Sequence, residues 1–403
     1  MPELTLIHSI HEIDANAWDA LWLSQNQHRY PFIRHGFLAA LEDSGCTDTE
    51  SGWTPRHLLI HQQGTLIGAM PLYLKHHSYG EYVFDWAWAD AYRRNGLEYY
   101  PKLLCAIPFT PATGPRLALD QAALTAFNLT PGDLYQQVTE FLSLSCQQQQ
   151  WSGWHCLFHP GDENPLWQQA SAPGSGPLQR TGCQFHWFNR GQEGGQYQDF
   201  DDFLSMFNSR KRKSVRKERR QVKDRGVTLT RLVGDQISAE DWDKFYYFYH
   251  TTYLKRSGNT GYLNREFFDA IARDMGDQIL MVKAELQQAD GQHNIASALC
   301  FFDDTHLYGR YWGCREDIPG LHFEACYYQG IEFAIERGLQ VFDPGAQGEH
   351  KIQRGFEPTL TYSQHWLTDP RFHAAVDDFL QRETPGVEAY RDDCDTYLPF
   401  KRG

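Results

Sequence analysis

The sequence predicts an α/β fold with mixed sheets, arranged as two related domains. Its length of 403 residues exceeds that of most single domains. A β-hairpin, a helix and a strand follow one another twice along the chain, at similar but unequal spacing. The polar stretch 168–177 lies between the two sets. We therefore predict domains at 1–178 and 179–403, the second containing a basic helix at 203–225 and a C-terminal helix.

The first half begins its sheet with a predicted hairpin. Apolar residues run from His57 to Ile60 and from Leu66 to Leu74, and the turn residues 62–65 separate them. A third apolar segment at 82–88 and a fourth at 103–107 flank the polar stretch 90–98. This order is typical of a region in which strands and helices alternate.

The second half repeats the order. Segments 295–302 and 307–312, joined by Asp303 and Asp304, predict a second hairpin. Apolar residues then recur at three- and four-residue spacing from about His322 to Glu336, which predicts a helix that ends at Gly338. Residues 339–343 predict the next strand, and spaced apolar residues after 372 predict a terminal helix.

The composition excludes several classes of protein. Hydrophobic residues make up 41% and charged residues 22%, so the chain is neither disordered nor collagen-like. A net charge of -14 argues against a surface built wholly for nucleic acid or anionic lipid, and no DNA partner is expected. Nine cysteines cannot all pair with one another, so we expect reduced thiols. The sequence shows neither a signal-peptide pattern nor about 18 consecutive apolar residues, so we expect a cytoplasmic protein without stable membrane insertion.

Positive charge is concentrated in one segment. Ten basic and two acidic side chains between Arg210 and Arg225 give it a net charge of +8. Sparse apolar residues predict a basic amphipathic helix, with Ser209 as its cap and Gly226 at its end. A solvated face that balances acidic charge elsewhere explains the segment equally well. Like charges four residues apart destabilise a helix, and bound phosphate would offset that cost. We therefore assign phosphate binding to Arg210, Arg212, Lys213 and Arg216.

A second candidate site follows the predicted strand that ends at Asp343. Ligands of open α/β sheets bind at the carboxyl ends of strands. The stretch 343–356 contains three glycines together with proton-transfer and anion-binding side chains. A structural turn rich in solvated charges is the alternative. We assign proton transfer to His350, the lining of the cleft to Asp343, and substrate or phosphate binding to Gln347, Lys351 and Arg354.

His322 and Glu324 lie in the first turn of the predicted helix. Residues two apart do not share a helix face, but exposed N–H groups of a first turn can hold an anion. A lone histidine there is more often a surface or capping residue than a catalyst. We assign His322 and Glu324 to proton transfer because of their neighbours in the chain.

Other histidines carry weaker signals. His155, Cys156 and His159 lie in a segment typical of a core strand, and no Cys-x-x-Cys pair or His-Glu-x-x-His motif accompanies them. We therefore expect no metal site. Gln184 and His186 share one face of a predicted strand; His186 is assigned to the lining of the cleft, although a half-exposed strand explains it as well.

Six stretches, in order along the chain, resemble the FemAB-like predicted N-acyltransferases, a bacterial family described as peptidoglycan biosynthesis or recognition proteins. They are QFHW at 184–187, SRKRK at 209–213, YGRYWGC at 308–314, LHFEACYYQG at 321–330, GAQGEHK at 345–351 and RGF at 354–356. The resemblance covers nearly the whole chain and implies tandem GNAT-type domains. It also implies transfer of an acyl or aminoacyl group to an amine, from aminoacyl-tRNA in Fem-type enzymes or from acyl-CoA in ordinary GNAT enzymes. From the third stretch we assign Tyr311 and Trp312 to the lining of the cleft.

These observations predict an N-acyltransferase with acyl-CoA or aminoacyl-tRNA as co-substrate and no tightly bound cofactor. The acceptor would be a small-molecule or peptide amine, such as a cell-wall precursor. One alternative is a catalytically silent protein that binds peptidoglycan precursor or RNA. A metal hydrolase that uses histidine and cysteine side chains is a third, weaker hypothesis.

Overall fold

The repeated α/β order defines the fold in the computed structural model, which describes residues 1–26, 29–170, 174–191, 194–258, 260–346 and 348–401. The chain divides into two compact units. Unit 1 comprises Met1–Cys183 and Leu360–Tyr390, and unit 2 comprises Gln184–Thr359 and Arg391–Gly403. The first division falls close to the predicted boundary at 178. Residues 360–390, predicted with the second domain, lie in unit 1 because strand 357–367 pairs with a strand of that unit.

The strands of the described chain fall in both units. They are β1 (Glu3–Ile7), β2 (Trp53–Pro55), β3 (His57–Gln62), β4 (Thr65–Met70), β5 (Tyr73–Lys75), β6 (Lys102–Cys105), β7 (Ala118–Leu119), β8 (Gly153–His159), β9 (Leu178–Phe188), β10 (Val227–Val233), β11 (Ile279–Gln288), β12 (Gly291–Phe302), β13 (His306–Cys314), β14 (Val341–Asp343) and β15 (Glu357–Leu367). The first two divisions between the units fall inside β9 and β15, and the third falls within the helix Pro370–Asp395.

The α-helices are α1 (Ala15–Asn26), α2 (His35–Asp43), α3 (Trp86–Arg94), α4 (Gln121–Ala126), α5 (Pro131–Gln149), α6 (Asn164–Gln169), α7 (Phe200–Ser205), α8 (Ser209–Asp224), α9 (Ala239–Ser257), α10 (Arg265–Asp274), α11 (Leu321–Phe323), α12 (Gln329–Arg337) and α13 (Pro370–Asp395). A π-helical turn, Glu324–Tyr328, joins α11 to α12, and Gly338 ends α12 in the left-handed conformation, as predicted. No helix of the described residues is both long and apolar enough to cross a membrane.

Unit 1 contains two groups of strands. The order β1-β3-β4-β7 forms one sheet, in which β3 and β4 make the predicted hairpin. The order β2-β5-β6-β8-β15 forms the other group. Within it β6 and β8 are parallel, whereas their outer neighbours β5 and β15 are antiparallel to them. A core of tryptophan and aliphatic side chains, including Trp154 and Trp167, lies beneath α5 and α6.

Unit 2 orders its strands β10-β11-β12-β13-β14-β9. β12 and β13 form the predicted second hairpin, β13 and β14 are parallel, and β14 is antiparallel to β9. The helical segment 321–337 makes the crossover between the parallel strands, as such a connection requires. Both units therefore show one succession of antiparallel, parallel and antiparallel pairs. The predicted α/β class with mixed sheets is confirmed.

The predictions for two segments need revision. The basic segment forms two helices, α7 and α8, and Asn208 rather than Ser209 caps the second by accepting from the Lys211 N–H at 3.0 Å. The apolar segment 82–88 contains no strand, because Tyr82 has a positive φ of 61° and α3 begins at Trp86. The prediction that His155 and His159 lie in a core strand is confirmed by the buried strand β8. Among the described residues no His, Cys, Asp and Glu side chains group as metal ligands.

Candidate functional site

The parallel strands β13 and β14 of unit 2 separate where a ligand site is expected. Their pairing ends at Tyr308 and Asp343, and β13 continues beyond β14 to Cys314, paired only with β12 among the described strands. A register shift between β12 and β13 leaves Arg310 without an opposite residue in β12. Such a bulge bends the strand locally. The carboxyl end of this pair therefore presents side chains from β13, from the loop after β14 and from the crossover helix.

Asp343, His186 and Lys351 form a buried group at this end. The Gly345 N–H donates to Asp343 Oδ1 at 2.8 Å, and His186 Nε2 lies 3.7 Å from the same oxygen. Asp343 Oδ2 is buried and accepts no hydrogen bond from the described residues. Lys351 donates to the carbonyl of Gly345. Burial lowers the pKa of Lys351 to about 8 and also lowers the pKa of His186.

His322 and His350 lie side by side in an aromatic group. Their ring centroids are 6.4 Å apart, and the Tyr327 hydroxyl is 2.9 Å from His350 Nε2. Burial, and then the neighbouring His350, lower the pKa of His322 to about 4. Burial, and then Arg354, lower the pKa of His350. Both imidazoles are therefore uncharged at neutral pH, and each has one unprotonated ring nitrogen.

Glu324, the third residue assigned to proton transfer, faces a different side of its helix. The Arg219 guanidinium donates to its carboxylate at 3.0 and 2.9 Å, and Gln329 Nε2 donates to it at 2.9 Å. Arg219 also donates to Glu332 at 2.6 Å. This ion-pair network joins α8 to the crossover helix. The structure thus brings His322 and His350 together but places Glu324 apart, as expected for residues two positions apart on a helix.

The residues assigned to phosphate binding differ in accessibility. On α8, Arg210, Lys213 and Arg216 are exposed, and Arg212 is half-buried. Arg216 pairs with Asp201 at 2.7 Å across the surface. Exposed guanidinium and ammonium groups of this kind remain available to an anionic ligand.

The basic side chains of the loop after β14 are more buried than those of α8 and have partners within the protein. Arg354 is buried, donates to Glu218 at 2.8 Å and lies 3.4 Å from the centre of the Phe323 ring. Lys351 is also buried, so both residues have internal partners. Gln347 lies outside the described residues.

Tyr311 and Trp312 point to opposite faces of β13, because successive side chains of a strand alternate. The Tyr311 ring packs against Tyr249 and Phe268, with centroid distances of 5.7 and 5.6 Å. The Trp312 ring lies 5.5 Å from His322. Of the two residues assigned to the cleft, Trp312 lies with the histidines and Tyr311 lies in the core.

A pocket of about 180 Å³ opens beside His322. Three cations in its wall were missed by the sequence analysis: Lys255, Arg256 and Arg315. Arg315 directly follows β13, so the strand-end rule that selected Asp343 could have selected it. The other two residues lie in the last turn of α9, where basic side chains are common for other reasons. The remaining lining residues are Thr252, Trp312, Cys314, Glu316, Asp317, Ile318, Leu321 and His322.

Several solved structures share this fold. The crystal structure of FemX matches with a TM-score of 0.53 and 13% identity, covering 92% of this chain and 99% of that one. The C-terminal domain of a putative lysylphosphatidylglycerol synthetase from Agrobacterium fabrum matches with a TM-score of 0.52 and 10% identity, covering 92% and 97%. A conserved protein of unknown function from Bacteroides thetaiotaomicron matches with a TM-score of 0.50 and 9% identity, covering 91% and 100%. At such identities these matches show the fold alone.

Sequence comparison is more specific. No curated protein matches significantly. A family profile described as FemAB-like, peptidoglycan biosynthesis/recognition, matches residues 9–402. This range contains all six stretches on which the resemblance was based. Because the profile spans nearly the whole chain, the protein belongs to the FemAB-like family.

Proposed function

We propose that the protein transfers an acyl or aminoacyl group from a phosphate-bearing donor to an amine. The observation that carries this proposal is the pocket of unit 2, where the uncharged His322 lies beside three cations. An uncharged imidazole accepts a proton, and Lys255, Arg256 and Arg315 attract phosphate. Membership of the FemAB-like family agrees with this chemistry.

The reaction requires the amine nitrogen to attack the donor carbonyl carbon. A carbon–nitrogen bond forms, and the carbon–oxygen bond to a tRNA ribose or the carbon–sulfur bond of a thioester breaks. His322 takes the proton that the amine loses, since no hydrogen bond from the described residues occupies its ring. The departing oxygen or sulfur then receives a proton. Tyr327 holds His350 through the hydrogen bond of 2.9 Å and so fixes the neighbouring aromatic group.

The pocket and α8 would contribute differently to the binding of acyl-CoA and of aminoacyl-tRNA. Acyl-CoA is small enough for its phosphates to be held by the pocket cations alone. An aminoacyl-tRNA carries many phosphates and would also engage the exposed face of α8, including Arg210, Lys213 and Lys217. Steep salt dependence and a strong effect of α8 charge reversal would identify tRNA as the donor.

Transfer is tested with alanyl-tRNA and acetyl-CoA as donors and a lysine-containing stem tripeptide as the amine, with the product detected by mass spectrometry. We expect product from one donor, and about a 10²- to 10⁴-fold lower kcat in His322→Ala with a small change in KM. His293→Ala, a partly exposed histidine of unit 2, is the matched control and should retain full activity. Product from neither donor, or an unchanged kcat in His322→Ala, would contradict the proposal.

A catalytically silent binding protein is the second candidate function. It is favoured by the internal contacts of Glu324, Lys351 and Arg354, which occupy three of the residues assigned to the reaction. Such a protein needs no acyl donor. Thermal stabilisation by muropeptide or RNA, without stabilisation by coenzyme A, acyl-CoA or charged tRNA, would support it.

A further inference from the structure

Arg354, assigned from the sequence to phosphate binding, lies inside unit 2 rather than on its surface. It is 7% exposed and ends the short 3₁₀ helix Glu349–Arg354 after β14. Its guanidinium donates to Glu218 Oε1 at 2.8 Å and to the carbonyl of His350 at 2.6 Å, and it lies 3.4 Å from the centre of the Phe323 ring. A buried guanidinium requires partners of this kind, because an unpaired buried charge is costly. This side chain thus joins α8, the loop after β14 and α11.

Glu218 is one of the two acidic side chains in the basic segment 210–225 of the chain. One of its carboxylate oxygens accepts from Arg354, and the other accepts from the Tyr328 hydroxyl at 2.6 Å. Tyr328 belongs to the π-helical turn that continues α11. Because charge-assisted hydrogen bonds are strong and directional, Glu218 holds both partners in fixed places relative to α8.

The two groups that Arg354 contacts beside Glu218 are the neighbours of His322. The centroid of the Phe323 ring lies 5.6 Å from that of His322 and 5.6 Å from that of His350. The hydrogen bond to the His350 carbonyl fixes the backbone that carries this imidazole. The contact with Phe323 fixes the ring that packs beside His322. Arg354 therefore constrains both histidines from one position.

We propose that Arg354 is a positioning residue for His322 and His350, and that Glu218 of α8 holds it in place. Its part in catalysis rests on the proposed acyl transfer, since a proton acceptor must be held in a productive geometry for the reaction to be fast. The positioning itself can be measured on the full chain without a substrate. Arg354 then acts through the histidines instead of contacting donor phosphate.

The charge of Arg354 provides the measurable signal at His350. Burial is the largest cause that lowers the pKa of His350, followed by the charges of Arg354 and then Lys351. The other titratable groups that face this imidazole are the Tyr327 hydroxyl, 2.9 Å from Nε2, and His322, with ring centroids 6.4 Å apart. A positive neighbour disfavours a second positive charge, so loss of Arg354 should raise the proton affinity of His350. Because His350 is partly exposed, solvent screens the interaction, and we expect a rise of about two- to fivefold.

Titration of the histidine rings by NMR tests this expectation. The full chain carries ¹³C-labelled histidine, and the His350 signal is identified by its loss in His350→Gln. Arg354→Gln should raise the proton affinity of His350, whereas Arg354→Lys keeps the charge and should titrate like the wild type. Arg231→Gln, which breaks the ion pair with Glu336 on another face of unit 2, is the matched control. An unchanged or lower proton affinity in Arg354→Gln, or an equal rise in Arg231→Gln, would overturn the proposal.

Glu218→Ala tests whether α8 holds Arg354, and it decides the matter even if Arg354→Gln fails to fold. Loss of the negative charge of Glu218 by itself makes a nearby imidazole harder to protonate, so a direct effect would lower the proton affinity of His350. Release of Arg354 from its place has the opposite effect. We expect a net rise. A fall or no change would show that Arg354 stays beside His350 without Glu218, and would overturn the role of Glu218.

Transfer kinetics separate positioning from phosphate binding. Arg354→Gln should lower kcat at least about tenfold and change the KM of the donor less than about threefold, because a displaced His322 slows proton transfer without removing a donor contact. A raised KM with unchanged kcat would show that Arg354 binds the donor instead. If no donor gives product, the proposed function fails, and the titration of His350 still decides whether Arg354 and Glu218 control that imidazole.

Discussion

The two parallel strand pairs, β6–β8 in unit 1 and β13–β14 in unit 2, are built alike but end differently. In unit 1 the loop after β6 returns over the carboxyl end of the pair, and Arg116 from this loop is fully buried. Its guanidinium donates to the carbonyls of Leu157, Ala112, Gly114 and Pro115 at 2.7–3.1 Å. In unit 2 the same end carries a pocket with Arg256 and Arg315 in its wall.

The difference shows that one architecture can either close the carboxyl end of a strand pair or leave a pocket there. A fully buried arginine that directs four of its five N–H donors to backbone carbonyls is not available to a ligand. An arginine at the mouth of a pocket keeps its donors and its charge available. The residue type is the same in both units, and only its partners decide its role.

The largest expected effect concerns the carboxyl end of the β6–β8 pair, where Arg116 is buried. Arg116→Met removes four hydrogen bonds to buried carbonyls, of which the Ala112 carbonyl still accepts from the Tyr30 hydroxyl, so we expect the free energy of unfolding to fall by about 4 kcal/mol. Chemical denaturation measures this loss. Arg315→Met, the exposed counterpart in unit 2, should change it by less than about 0.5 kcal/mol. Equal effects of the two substitutions would remove the distinction between the ends.

A second prediction concerns Glu163, just after β8. Burial raises its pKa to about 8, so the folded protein holds a proton there that the unfolded chain releases above its ordinary pKa near 4.5. Its contribution to stability is therefore complete below pH 4.5 and is lost as pH rises to 8, at up to about 1.4 kcal/mol per pH unit. Glu163→Gln mimics the protonated form, so its free energy of unfolding should rise relative to that of the wild type as the pH increases from 5 to 8. Denaturation curves at both pH values measure the gain, and the neighbouring exposed Asp162→Asn should show none.

The smallest effect concerns the carboxyl end of the β13–β14 pair, where Arg315 lies in the wall of the pocket. Arg315→Met should weaken the binding of inorganic pyrophosphate about two- to fivefold, the contribution of one exposed charge, and the difference should vanish in high salt. Calorimetry at low and high ionic strength checks this. Arg116 is fully buried and bonded to backbone carbonyls, so an Arg116→Lys variant that still folds should bind pyrophosphate like the wild type. A salt-independent difference would mean that Arg315 acts through the shape of the pocket.

Much of the fold could be predicted because the spacing of apolar residues along a single sequence indicates helices and strands. Both hairpins, the crossover helix and its end at Gly338 follow from apolar spacing and turn residues. The strand-end rule also selected Asp343 and His350, which lie near His186 and His322 respectively. These features depend on local sequence or on general sheet geometry.

Features that depend on distant partners could not be predicted. Arg354 resembles a phosphate-binding residue until Glu218, 136 positions away, is seen to pair with it. Lys102, Glu81 and Asp85 form a buried ion-pair cluster in unit 1, but they carry no helical or strand periodicity, and each alone resembles an ordinary solvated charge. Burial of a charge becomes visible only when the partners that compensate it are known.

The interleaving of the two units has a consequence for synthesis. His155 in β8 and His365 in β15 are paired, yet 210 positions separate them along the chain. At about 5–20 residues per second, β8 leaves the ribosome roughly 10–40 s before its partner strand exists. During that interval the edge of β8 lacks the strand that covers it in the finished sheet, and an open edge invites pairing with other chains. A nascent chain stalled before residue 360 would keep this edge uncovered, so completion of the first unit has to wait until residues 184–359 of the second unit have been made.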